Sequence, residues 1–207
     1  EKETQSLRHR IEQRTNTVAR QFDRVCEVLD VLGYLDGDEV TEAGTGLKRI
    51  YGELDLLVSE CLRERVWTDL DPAEFAAVAS ALTYESRMDE PPLPQFPTKG
   101  VRDVADTMLR LAGDLRQLER EHRLNYLRVP DFGFAQTAWE WASGAALDDV
   151  LESSDIAPGD FVRAVKQVID ALGQITQAAR EESVRDTARA ALVELRRGII
   201  AYEATAQ

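Results

Sequence analysis

The chain has 207 residues, 43% of them hydrophobic and 30% charged, with 38 acidic side chains against 25 basic ones for a net charge of −13. A chain of that length buries roughly 70% of its unfolded surface without staples, and its acidity argues against a free-standing, non-specific nucleic-acid binder while leaving room for one local contact face. No apolar run approaches the roughly 18 residues of a membrane span, so no membrane partner is expected; the charged opening EKETQSLRHR has neither an initiator Met nor a signal core and reads as a piece excised from a longer chain.

Residues 1–32 carry Leu7, Ile11, Val18, Phe22, Val25, Val28, Leu29 and Leu32 at helical spacing, closed by Gly33 as a C-cap. The highly charged first half of this long helix fits a projecting stalk. Asp36-Gly37-Asp38 is turn chemistry and Glu39-Val40-Thr41 a short strand, leading into a helix with Leu47, Ile50 and Tyr51. Helix, short β-turn, V-T-x-x-G-x-x-L and helix is a pattern common in winged-helix modules. A further helix is expected over 55–65, and another from Pro72 to about residue 87, with Asp69 or Asp71 as its N-cap. Residues 91–97 hold four of the seven prolines and read as a surface loop, with a polyproline ligand as the other use of such a run. Then come helices over 101–126, over the aromatic-rich stretch closed by Gly144, over 146–152, over 158–180 and over 183–202. Strand signal is almost confined to the turn element. The fold class is all-α: a helical bundle with a preceding long helix and a small winged-helix-like element, divided as 1–52 and 53–207.

Chemistry is sparse. Cys26 and Cys61 sit at apolar-compatible helical positions, as buried reduced thiols of a cytoplasmic protein do. His9 and His122 have no Cys or second His at ligand spacing, so no metal site is expected. There is no nucleophile elbow, no zincin motif, no Walker or DExH sequence, and Gly44 and Gly46 lack phosphate-loop spacing. Carboxylates fall beside arginines on helix faces, as solvated i,i+4 pairs do. This stretch is therefore not expected to be an enzyme by itself or to hold a cofactor.

One local feature stands out. On the helix from Pro158, Arg163, Gln167, Asp170, Gln174 and Gln177 lie within about 40° of one line, while Phe161, Val165, Val168, Leu172 and Ile175 face the other way. Lys166 and Gly173 flank the stripe; Pro158-Gly159 supply the turn and Asp160 is placed to cap. Two readings fit: a wet helix face where Gln is simply a good helix former, or a strip of amides against which a ligand slides, donating and accepting without strong charge. Phe132, Phe134, Trp139 and Trp141 likewise fit either core packing or base stacking.

The order of these features resembles a known family. The run from Trp139 through Trp141-Ala142 and Gly144, then Gly159 to Arg163 opening a long helix, is similar to the DSHCT domain, the C-terminal helical domain of superkiller- and exosome-cofactor-type DExH RNA helicases. The block LDLLVSECLRERVWTDLDPAEFAAVASALTYESR resembles that family's upstream segment, and RIEQRTNTVARQFDRVCEVLDVLGYL what precedes it in actinobacterial HelY-type helicases. The resemblance implies that two RecA-like motor domains lie upstream and use ATP and Mg there. It also implies that residues 159–180 are a ratchet helix lining a single-stranded RNA path, with DNA as the alternative strand. The family's base-contacting positions fall on Gln167 and Asp170, with Arg163 one turn earlier and Lys166 and Gln174 beside them; Gln167 stands where relatives often carry Arg, which removes a strong charge there. Two rivals are a non-enzymatic helical adaptor and a winged-helix DNA-binding regulator. The second lacks a basic recognition helix, since the helix before the wing holds Asp23, Glu27 and Asp30.

Overall fold

The computed structural model describes the backbone of residues 2–204 and the side chains of residues 17–201; Leu7, His9 and Ile11 lie outside the described side chains. The architecture is all-α apart from one two-stranded hairpin, as the sequence periodicity implies. Helix α1 (Lys2–Val31) ends where Gly33 takes φ +75 and the Tyr34 amide donates to the Leu29 carbonyl at 2.8 Å. Strands β1 (Leu35–Asp36) and β2 (Glu39–Val40) pair antiparallel about Gly37-Asp38, with Gly37 at φ +59.

The V-T-x-x-G sequence then acts locally. The Thr41 hydroxyl caps α2 (Glu42–Leu47) by accepting from the Gly44 amide at 3.1 Å, and donates to the Gly33 carbonyl at 2.8 Å. Gly44 is required by close approach: a Cβ there would overlap the Tyr34 carbonyl and lie 2.9 Å from Val40. Turn, hairpin and helix are therefore tied into one knot against α3 (Asp55–Arg63). The Tyr34 hydroxyl donates to Glu60, and burial first, then that carboxylate, pushes the phenol up to about 12. Helix α2 ends at Leu47, earlier than the spacing predicts, so Ile50 and Tyr51 lie in a linker. Helix α3 also stops short of residue 65, because Arg65 takes φ +57 and the Val66 amide turns back to the Cys61 carbonyl.

Helix α4 (Pro72–Ser80) begins with a reciprocal capping box between Asp71 and Glu74 and Pro72 in its first turn. It ends at Ser80, short of the expected residue 87. The Ala81 carbonyl accepts from the Asp131 amide and the Leu82 carbonyl from Arg128 Nη2 at 2.7 Å, so a segment distant in sequence takes acceptors that a longer helix would use. Phe75 through Ser80 are fully buried, and α4 packs against α5 (Lys99–Glu121), α6 (Ala135–Ala142), α8 (Pro158–Ala178) and α9 (Glu182–Leu195). Helix α5 is capped by Thr98 and closes before residue 126 because Arg123 adopts φ +57. The buried Glu119 carboxylate then accepts from the Tyr126 and Leu127 amides at 3.0 Å each.

The aromatic stretch forms a 3-10 turn (Phe132–Phe134) and α6, followed by α7 (Leu147–Ser154). Its rings pack inside: Phe132, Phe134 and Trp141 are buried, Trp139 lies half-buried against the same core, and Trp141 meets Phe161 of α8 edge-on at 5.2 Å. Base stacking by the three buried rings is excluded. The single terminal helix expected over 183–202 is two, α9 and α10 (Gly198–Ala204). Between them the Arg197 guanidinium lies 3.5 Å from the Trp141 ring centre and donates to the Trp141 and Ala145 carbonyls, while Trp141 Nε1 donates to the Leu195 carbonyl at 3.0 Å. Closing the α6 end in this way breaks the helix, and Gly198 supplies φ +50.

The Gly44→Ala variant should lose more than about 2 kcal/mol in urea denaturation, since backbone must move to admit one methyl. Gly46→Ala, two residues along the same helix and with nothing within 4 Å of the added carbon, should stay within about 1 kcal/mol of the parent.

Candidate nucleic-acid interface

Helix α8 builds the site. Pro158 occupies its first turn; the residue at its N-cap is Ala157, and Asp160, expected as the cap, instead lies inside the first turn and pairs with Arg163 at 3.2 Å. Phe161, Val165, Val168, Leu172 and Ile175 are all at most 1% exposed, locking one face against α4 and α9. That burial fixes the opposite stripe in position: Arg163, Gln167, Asp170 and Gln177 are exposed and Gln174 is half-buried.

The stripe residues divide between two depressions. Arg163 and Lys166 line a shallow one of about 400 Å³ with Pro158, Gly159, Val162 and Ile199. Gln167, Asp170 and Gln174 line a groove of about 430 Å³ whose far wall is the 50–55 linker and whose floor includes Leu82 and Arg128. Among the described residues, no side chain engages Gln167 or Asp170. Gln174 is different: its Oε1 accepts from the Tyr51 amide at 2.6 Å, and one turn on the Gln177 carbonyl accepts from Arg49 Nη1 at 3.2 Å. The C-terminal half of the stripe staples the linker to α8, while Gln167 and Asp170 remain open to a ligand.

The groove is acidic. Glu53, Asp55, Glu85 and Asp170 line it against one cation, Arg128, which already pairs with Glu53 at 3.1 Å. Burial, with Glu119 nearby, holds the Asp55 carboxyl above the usual carboxylate range. Such a surface repels phosphates and presents acceptors to base edges or amino groups.

Periodicity missed two contributors. Tyr51, assigned to a helix, lies in the linker at 77% exposure, and the one sequence cue was Gly52 beside it. Arg128 lies in an irregular segment with no periodicity to place it. A separate depression of about 400 Å³ beside α3 and α9 is lined by Cys61 and Trp67 together with Arg63, Arg65, Arg180 and Glu181; burial pushes the Cys61 thiol well up, which disfavours the reactive thiolate. No group of His, Cys, Asp or Glu placed to hold a metal occurs among the described residues, and no described helix is long and apolar enough to cross a membrane.

A helical bundle that presents one fixed polar strip beside the linker between α2 and α3 defines the class of domain, and comparison with known proteins specifies which. The chain belongs to the DSHCT (NUC185) domain family, whose model matches residues 37–203. It is 40% identical over 213 aligned positions to the probable helicase HelY of Mycobacterium leprae (strain TN), covering 96% of this chain and 23% of that protein. It is 37% identical over 219 positions to the probable helicase HelY of Mycobacterium tuberculosis (strain ATCC 25618 / H37Rv), covering 99% and 24%. A more distant relative is the DExH-box ATP-dependent RNA helicase DExH10 of Arabidopsis thaliana, at 27% identity over 84% of this chain and 18% of that protein. The chain thus spans about a quarter of the length of the HelY proteins it matches. The motif-based resemblance to this family is borne out.

Replacing Gln174 by Ala removes the acceptor of the Tyr51 amide. Hydrogen exchange at that amide should accelerate about tenfold, with a global stability loss of about 1 kcal/mol or less, because the side chain is only half-buried.

Proposed function

We propose that this domain forms one wall of the path by which single-stranded RNA passes from an ATP-dependent helicase motor carried on the same chain. The observation that supports this reading most is the strip itself: Gln167 and Asp170, exposed and unengaged on a helix whose other face is locked in the core. The names of the relatives agree in kind, two being probable helicases and one an ATP-dependent RNA helicase.

In this reading residues 53–207 are the RNA-facing bundle, and residues 1–52 are a stalk and wing that brace RecA-like domains upstream. ATP and Mg bind in those domains. The acidic groove supports a division of labour in which motor domains hold phosphates, while the amide of Gln167 and the carboxylate of Asp170 meet base edges. Arg163 and Lys166, in the neighbouring depression, supply the cationic end of the strip. Contacts of this type tolerate many sequences, as a translocating motor needs.

The test is the Gln167→Ala/Asp170→Ala double variant of the full-length protein. Strand separation should slow about tenfold, with ATP hydrolysis in the absence of nucleic acid unchanged and the domain still folded. Unaltered strand separation removes the strip from the RNA path, and running RNA and DNA of one sequence in parallel reports which strand it prefers.

A further inference from the structure

The linker opposite Gln167 and Asp170 carries an aromatic ring that the fold leaves uncovered. Tyr51 is 77% exposed, although Ile50 and Leu54 on either side of it are buried at 7% and 2%. Tyr51 lines the same groove as Gln167 and Asp170, and also a neighbouring cavity with Phe22 and Val25 of α1. The backbone beneath it is not loose: the Tyr51 amide is held by Gln174 at 2.6 Å and Arg49 reaches the Gln177 carbonyl at 3.2 Å, which fastens the linker to two successive turns of α8. Asp170 and Gln174 are one turn apart, hence neighbours on the helix surface, so the Tyr51 backbone stands within about a turn of the open strip.

A large exposed aromatic on a pinned backbone, in a groove that polar side chains also line, suits a stacking platform. The charge around it sets which part of a nucleic acid it takes. Glu53, Asp55, Glu85 and Asp170 disfavour phosphate in the groove, whereas a base is uncharged and offers a π-face and amino groups. We propose that Tyr51 is a base-stacking residue, which receives one unpaired base of the single strand while Gln167 and Asp170 meet that base's edge and the phosphates point out of the groove. This rests on the reading of α8 as a strand-lining helix and adds a contact from the wing side of the path.

The experiment uses the full-length protein and a single-stranded oligoadenylate RNA bearing one 2-aminopurine, titrated across a salt series without ATP. Tyr51→Ala should weaken binding about tenfold and raise the bound-state 2-aminopurine fluorescence, since an unstacked base is less quenched. The slope of log affinity against log salt should not change, because that slope counts phosphates. Tyr51→Phe should restore affinity to within about twofold, since the ring and not the hydroxyl is required. An affinity unchanged in Tyr51→Ala while Gln167→Ala/Asp170→Ala binds weakly overturns the stacking role and leaves the strand-lining reading intact. Indifference to both variants overturns both. A reduced salt slope, failure of Tyr51→Phe to restore binding, or a loss of unfolding midpoint in Tyr51→Ala that matches its loss of affinity would each overturn the stacking role as well.

Discussion

The structure depends on one short helix whose last six residues are all buried. Helix α4 carries Ala76, Ala77, Ala79 and Ser80 around Phe75 and Val78, all fully buried, and four other helices pack directly against it. A helix apolar on all sides can only be an interior element, and its small side chains let neighbouring backbones come close. The reciprocal Asp71–Glu74 cap fixes where it begins, and the Arg128 and Asp131 contacts to the Leu82 and Ala81 carbonyls fix where it ends. With both ends set, the orientation of α8 follows: it has a single apolar face and that face has a single place to go.

From that constraint comes the surface that matters for function. Burying Phe161, Val165, Val168, Leu172 and Ile175 puts Gln167 and Asp170 outward without any polar interaction holding them there. The cost of leaving them unengaged is small because water satisfies them until a ligand does. The remainder of the strip is used by the protein itself, since Gln174 and the Gln177 carbonyl anchor the linker that follows the hairpin element. The linker and α8 are thereby fastened together, and both line the groove between them.

Much of this was legible in sequence where one period governs. The 3.6-residue repeat placed α8 and its stripe, the V-T-x-x-G motif placed the hairpin and α2, and Asp71-Pro72 placed the start of α4. Ends set by distant partners were not legible. Helix α4 stops at Ser80 where Arg128 and Asp131 take the Leu82 and Ala81 carbonyls just beyond it, and the terminal helix breaks because Arg197 is drawn to the end of α6 and the Trp141 ring. Neither contact leaves a periodic trace. The same holds for the site: spacing found Arg163, Gln167, Asp170, Gln174 and Gln177 along one line with Lys166 at its flank, but could not show that Arg163 and Lys166 line a different depression from Gln167 and Asp170 or that Gln174 is engaged. Tyr51 was assigned to a helix because Leu47, Ile50 and Tyr51 keep helical spacing, yet the chain leaves the helix at Leu47.

The most direct test of the account is to map where a strand touches this domain. Single-stranded RNA carrying 4-thiouridine, photocrosslinked to the full-length protein and located by mass spectrometry, should attach to peptides spanning 49–53 and 163–174. Crosslinks within this domain that fall only on other surfaces, or an absence of crosslinks here while the rest of the chain is labelled, would contradict it.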